Sequence, residues 1–473
     1  MSKRLLIMAA ILLLSVPAFA AVENIKVSGD INEQFVLRDM AMGGTNFSTN
    51  NLDAESYLLS QVRLRFDADL TENVSGVIRL IDERTWGSNH VSNSVSVGDD
   101  GNTLNGYEYT QDDVGIDLAY IELKEFLYQP LSVIVGRQNL RYGSGLIVGD
   151  PDTNMMTANN SGEYVFGDLS LKKSFDAARV ILDFSPWTID GIYSKVNEHD
   201  TYKHNSTDLW GINTNYQWGS FDGVSEIYYF GAQNNRDTLL YTKVNSQPPE
   251  NQDITNVVGG RVQFNPLEKM TLGLEGAYQF GDVQISSVAA NPARHLSAYA
   301  IEAMAEYRFM TKYNPILGLT YVYLSGNDDV DATSKDEHMG GWDPMFEDQS
   351  LGEITNLLFP NSNIQGARVN GSIMPREDIT LGASYSWLKL ANNVNYNLTT
   401  TYSPPLGWYS QNDYSVNLND TYLGSEVDAF ATYDYTEDVQ LKLTGAWFIP
   451  GDFFTDSNDD VAYSVRGGIN LNF

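Results

Sequence analysis

Histidine is the only side chain here whose ordinary titration falls near neutral pH, because cysteine is absent. It occurs five times, at His90, His199, His204, His295 and His338. A catalytic histidine serves as general base to a serine or holds a metal, and both tasks need partners at fixed spacing. None of the five lies on an alternating segment beside a serine or asparagine. No Gly-rich phosphate loop, His/Glu metal motif or haem attachment pair occurs either. Without thiols, disulfides and thiolate metal sites are excluded. The expectation is that the chain is not an enzyme.

Two constellations of charge remain. The run Asn327-Asp328-Asp329-Val330-Asp331, with Asp336 and Glu337, offers carboxylates to a hard cation. It lacks the glycine at position six and the closing glutamate of an EF-hand loop. Asp328, Asp329 and Asp331 are therefore a calcium candidate whose alternative is solvated negative charge; a bound ion there would bridge to lipopolysaccharide phosphates. The second constellation comprises nine arginines, Arg63, Arg65, Arg79, Arg137, Arg141, Arg261, Arg308, Arg368 and Arg466, each in an otherwise alternating apolar segment.

The elements that carry these arginines follow from the rest of the chain. Ser2-Lys3-Arg4, the apolar run Leu5 to Val16 and Ala18-Phe19-Ala20 follow the order of a secretory leader cleaved after Ala20. That run is shorter than the ~20 apolar residues of a membrane helix. Residues 1–20 are read as signal peptide and 21–473 as one domain. Loss of Lys3 and Arg4 takes the net charge from −32 to −34, which argues against nucleic acid or an anionic lipid surface as a partner.

An exported chain without a long apolar helix either stays in the periplasm or spans the outer membrane as strands. Alternation favours the strands. Val461, Tyr463, Val465, Ile469, Leu471 and Phe473 share one face, with Ser464, Arg466, Asn470 and Asn472 on the other. Val62, Leu64, Phe66, Ala68 and Leu70 oppose Gln61, Arg63, Arg65, Asp67 and Asp69 in the same way. About 18 such segments of roughly 10 residues occur, the pattern of a transmembrane barrel with a lipid face and a lumen face. The segment near 113–124 mixes polar and apolar residues in both registers, as a bulge would.

Connections alternate in length. Thr71-Glu72-Asn73, Ser185-Pro186-Trp187, Gly219 to Asp222, Asn265 to Glu268, Pro375 to Asp378 and Thr436-Glu437-Asp438 are short. Those near 38–56, 86–112, 142–176, 234–252, 326–360 and 390–420 are long. The fold class is thus all-β: a transmembrane antiparallel β-barrel with short periplasmic turns and long extracellular loops, in outer-membrane lipid and lipopolysaccharide. Phe473 ends the strand that outer-membrane assembly machinery would read. Tyr228-Tyr229-Phe230, Tyr321, Tyr323, Trp387 and Trp447-Phe448 are candidates for the aromatic girdles.

On such strands parity points all nine arginines inward, since a guanidinium facing lipid at the midplane costs ~2–4 kcal/mol. Rings of arginine attract anions in pores. The alternative is that they pair with Asp67, Asp69, Glu83, Glu275, Glu302, Glu306, Glu426 and Asp428 and fill the barrel. Facing acidic and basic walls would also set up a transverse field. The turn at Thr436-Glu437-Asp438 is too short to plug the lumen, so any constriction falls to the long loops, the one near 142–176 first among them.

Gly136-Arg137-Gln138-Asn139-Leu140-Arg141-Tyr142-Gly143 resembles a strand of the alginate export porin family. Leu423-Gly424-Ser425-Glu426-Val427-Asp428 and Phe448-Ile449-Pro450-Gly451-Asp452 are similar to that family's C-terminal strands. The resemblance implies an 18-stranded barrel whose lumen arginines, with Arg137 and Arg141 among them, guide an anionic polysaccharide. The expected function is passive diffusion of hydrophilic, anionic solutes, alginate being one candidate. The alternative is a structural or adhesive surface barrel with acidic loops.

Overall fold

The computed structural model describes residues 24–40, 42, 55–86, 114–151, 167–198, 206–234, 253–283, 294–327, 338–359, 361–393, 417 and 419–473. The signal peptide and the calcium candidate Asp328, Asp329 and Asp331 lie outside them.

The strands, in chain order, are β1 (Asn24–Asp39), β2 (Glu55–Thr71), β3 (Val74–Thr85), β4 (Gly115–Leu123), β5 (Leu131–Asn139), β6 (Ser174–Asp183) and β7 (Trp187–Glu198). There follow β8 (Ser206–Gln217), β9 (Val224–Asn234), β10 (Asp253–Leu267), β11 (Met270–Val283), β12 (Arg294–Arg308) and β13 (Ile316–Leu324). After the two-residue β14 (His338–Met339) come β15 (Ile364–Arg376), β16 (Ile379–Leu390), β17 (Tyr422–Asp434), β18 (Val439–Pro450) and β19 (Ala462–Asn472).

All but β14 are staves of one closed antiparallel barrel of 18 strands, each paired with its neighbours in sequence. β1 closes the ring by pairing with β19 from Asp30↔Asn472 to Asp39↔Tyr463. Closure leaves no edge strand open to lipid. Gly29 and Phe473 exchange backbone hydrogen bonds at 2.9 and 3.0 Å at this seam. A Cβ on Gly29 would stand 2.5 Å from the Arg63 carbonyl oxygen and 2.7 Å from the Phe473 ring, so only glycine fits.

Apolar side chains face outward along the staves. Ile227 is 69% exposed and Ile121 and Leu443 56% each, values that mark a lipid-facing belt. Phe126, Phe184, Trp187, Phe221, Phe309 and Tyr313 are exposed at the short-turn end. At the other end Trp447 and Tyr299 face out, and Tyr299 stacks on Tyr323 at 5.4 Å. Tyr228, Phe230 and Phe448 correct the expected girdle. They are buried inside, because adjacent residues of a strand point to opposite faces.

The anticipated irregularity in β4 is a bulge. Arg79↔Leu118 is followed by Leu80↔Ile116, so Asp117 is the extra residue, and Asp117 and Leu118 are both buried. The bulge turns the Asp117 carboxylate inward to Arg79, 2.5 Å away.

Candidate functional site

Three segments from two extracellular connections fold back into the lumen and build an apolar core there. Leu140, Tyr142, Leu146, Ile147 and Val148 after β5 pack with Trp342, Phe346, Leu351, Ile354, Leu358 and Phe359 from the chain between β13 and β15. Backbone bonds lace the two together, with Gly149 N donating to Phe346 O at 2.7 Å and Asp348 N to Gly145 O at 2.8 Å.

Side chains of the staves hold this double segment against one side of the barrel. The Tyr142 hydroxyl donates to Asp190 at 3.0 Å. Gly143 N donates to Glu226 at 3.2 Å, Ser144 N to Glu275 at 2.8 Å and Ser144 Oγ to Glu302 at 3.0 Å. Gly143 has φ +60°, and a Cβ there would approach Glu275 Oε1 to 2.4 Å. Further along, Asp343 exchanges hydrogen bonds with Gln279 at 2.6 and 2.9 Å. Ile354 N donates to Glu426 at 2.9 Å, and Phe359 packs edge-on to Phe448.

The third segment, 167–173, lines the opposite wall. Leu169 packs with Val36, Leu59 and Tyr57. Gln61 donates to Leu169 O at 2.7 Å, and Leu171 N to Glu83 at 2.8 Å. Arg38, buried and over the Tyr57 ring, pairs with Asp168 at 3.2 Å.

Where the two linings meet, the contacts are ionic and reach water. Lys173 Nζ lies 2.7 Å from Asp348 and 3.5 Å from Asp150. Arg141 also pairs with Asp348, and Arg466 with Glu353. The Arg141 side chain is 50% exposed and Lys173 39%, so water reaches this seam. Burial raises the Asp348 carboxyl, but Lys173 and Arg141 outweigh it and hold Asp348 below the ordinary aspartate range. Glu347 behaves oppositely: full burial pushes it up to about 8, despite hydrogen bonds from Asn361 and Gln349 N.

The sequence-derived arginines mostly face this lumen. Arg63 pairs with Asp30 at 2.9 Å, Arg65 with Asp67 at 2.7 Å and Arg79 with Asp117. Arg261 reaches Glu226 at 3.0 Å and Glu275 at 3.7 Å. Arg308 pairs with Glu306 at 2.8 Å near the short-turn end, and Arg368 lies 3.6 Å from Asp428. Glu226, Arg261, Glu275 and Glu302 stand in register across β9 to β12 as the acidic wall. Arg38, Arg63, Arg65, Arg79 and Arg466 form the basic wall across β19 and β1 to β3.

Arg137 requires a correction. Its neighbours in parity, Val133 and Val135, face lipid, while Gln138 and Ile134 are buried inside. Arg137 therefore points outward, two residues from the extracellular end of β5, and pairs with Asp176 at 2.8 Å. The cost of a lipid-facing guanidinium falls to ~0–1 kcal/mol near the interface, so depth removes the argument that would turn it inward.

Arg38 and Lys173 were not singled out from the sequence, and neither was the inward folding of 338–359. A signal for the latter existed: Trp342, Met345, Phe346, Leu351, Ile354, Leu357, Leu358 and Phe359 give a nominally polar loop a core's composition.

The profile describing alginate export matches residues 34–467. No curated protein matches the chain. Among solved structures, it is similar to Pseudomonas aeruginosa OccK2 (OpdF) in complex with glucuronate, with TM-score 0.52, 9% identity, 96% of this chain and 98% of that chain covered. It is similar also to Pseudomonas aeruginosa OccK3 (OpdO), with TM-score 0.54, 9% identity and 96% of each chain covered. For Pseudomonas aeruginosa OpdK with vanillate the values are 0.52 and 11%, with 96% of this chain and 99% of that chain covered. At such identities the likeness is one of fold. Matched over most of its length, the chain belongs to the alginate export family and is a porin-like β-barrel channel of the outer membrane.

Proposed function

We propose that the channel passes hydrophilic anions by diffusion, along the seam between the arginine wall and the inner edge of the folded-in loops. The observation that carries this reading is the set of partly exposed ion pairs on that wall and at that edge. Pairs that water reaches are worth only ~0.2–1 kcal/mol each. A passing carboxylate can therefore replace Asp30 on Arg63, Asp67 on Arg65, or Asp348 on Arg141 and Lys173. Each exchange conserves the charge-assisted hydrogen bonds of the guanidinium, so the anion moves from site to site without a deep trap. Cations meet the same guanidiniums as repulsion.

The family's description and the crystallised complexes of similar barrels with glucuronate and vanillate, both carboxylates, support an anionic solute. A uronate or short oligouronate fits both. A passive pore carries it down whichever gradient exists, and no catalytic step is assigned to the barrel. The test is single-channel recording with the refolded protein. Anion preference from reversal potentials, with current block by oligouronate, is expected; cation preference without block would move the weight to a surface-structural barrel.

A further inference from the structure

The outward position of Arg137 belongs to a larger pattern. Arg137, Asp176, Lys195 and Asp208 are direct cross-strand partners over β5, β6, β7 and β8. All four stand on the outer face near its extracellular end. Arg137 Nη2 lies 2.8 Å from Asp176, and Lys195 Nζ 2.7 Å from Asp208, which also accepts from the Tyr193 hydroxyl at 3.0 Å. Arg137 donates in addition to the Ile116 carbonyl at 3.0 Å. Among the described residues, no other outward-facing run of charges crosses four strands in register.

The rows below are apolar. One step toward the periplasm come Val135, Ala178, Tyr193 and Trp210, and a further step down Val133, Val180, Gly191 and Ile212. Ala178 and Gly191 are diagonal neighbours on β6 and β7. A Cβ on Gly191 would meet only the Gly211 carbonyl at 4.0 Å, so the surface there is a shallow trough. Val135 and Val180 bound it on one side, and Tyr193, half exposed, on the other. A charged rim over an aromatic-walled apolar trough is the complement of a lipid with an ionic headgroup.

The signs of the rim narrow the headgroup. Plus, minus, plus, minus at the ~4.8 Å spacing of adjacent strands is a poor trap for a lone anion. It matches alternating phosphates and divalent cations, since hard cations take carboxylate and phosphate oxygens together. We propose that this patch is a lipid-binding site for a multiply phosphorylated glycolipid of the outer leaflet. Its phosphates lie on Arg137 and Lys195, divalent cations join them to Asp176 and Asp208, and an acyl chain occupies the trough over Ala178 and Gly191.

Native mass spectrometry of the folded barrel, with lipid A as the bisphosphorylated probe and Mg²⁺ present, tests this site. Retained lipid should fall roughly tenfold or more in Arg137→Gln with Lys195→Gln, since both basic contacts to the phosphates are lost. Asp176→Asn with Asp208→Asn should weaken retention too, and a chelator should release the lipid from the wild type. Heat-modifiable migration verifies that each variant stays folded. Unchanged retention in either pair of variants, retention that survives the chelator, or equal retention of phosphatidylcholine overturns the proposal.

Discussion

The backbone N–H of Ser144 donates to the Glu275 carboxylate at 2.8 Å, tying a loop that leaves β5 to a stave six positions further round the barrel. This bond and its neighbour from Gly143 to Glu226 keep the loop inside the lumen rather than above it. Gly143→Ala should loosen both. Alanine in the left-handed region costs ~1–2 kcal/mol, a shift of roughly tenfold in the ratio of seated to released loop. Planar-bilayer recordings should show more frequent large-conductance states; wild-type traces would mean that the loop does not restrict current.

The staves were legible in the sequence because lipid on one side and water on the other impose a period of two. Even the bulge at Asp117 showed, since Ile116 to Glu122 fits neither register. Depth was not legible. Val133, Val135 and Arg137 share a face, but only the three-dimensional position of Asn139 at the strand's end shows that Arg137 sits where water and headgroups reach it. The lumen lining was hidden for a different reason. Loop 338–359 has no period, because its burial is set by partners as distant as Gln279, Glu426 and Phe448. Trp342 and Phe346 announced a core, yet nothing local told which surface they would cover.

Asp348 joins Arg141 and Lys173 at the seam. Asp348→Asn removes the carboxylate that Arg141 and Lys173 share and leaves Asp150, 3.5 Å from Lys173, as the remaining negative charge at the seam. Anion preference should rise, with longer dwell of a small carboxylate in current-block experiments. An unchanged reversal potential would place the conducting path away from the seam.

Glu347 gives the lining a pH dependence. Buried in the seated loop it titrates at about 8, against an ordinary glutamate value of about 4.3 once released. The seated state thus binds the extra proton, and its advantage is complete below the released value. That advantage declines as pH rises from about 4.3 and is fully lost above about 8. Open probability should therefore climb between pH 5 and pH 8 in the wild type (approximate bounds set by those two values). Glu347→Gln should flatten the profile; an equally steep profile in that variant would assign the dependence to another group.

Gly29 tests closure of the barrel. A valine there would drive its Cβ into the Arg63 carbonyl and the Phe473 ring, and strand backbone cannot retreat without opening the β1–β2 or β1–β19 ladder. Overpacking of this kind costs ~1–3 kcal/mol. Gly29→Val should lower the temperature at which the folded, heat-modifiable band disappears. An unaltered transition would show that the terminal seam carries little of the barrel's stability.

The central claim is that anions travel along Arg63 and Arg65 and not past Arg137. Reversal potentials under a salt gradient test it most directly, comparing wild type, Arg63→Gln with Arg65→Gln, and Arg137→Gln. The structure predicts anion preference in the wild type, a marked loss of it in the double variant, and wild-type selectivity in Arg137→Gln. Selectivity lost in Arg137→Gln and kept in the double variant would contradict both the lumen path and the outward placement of Arg137.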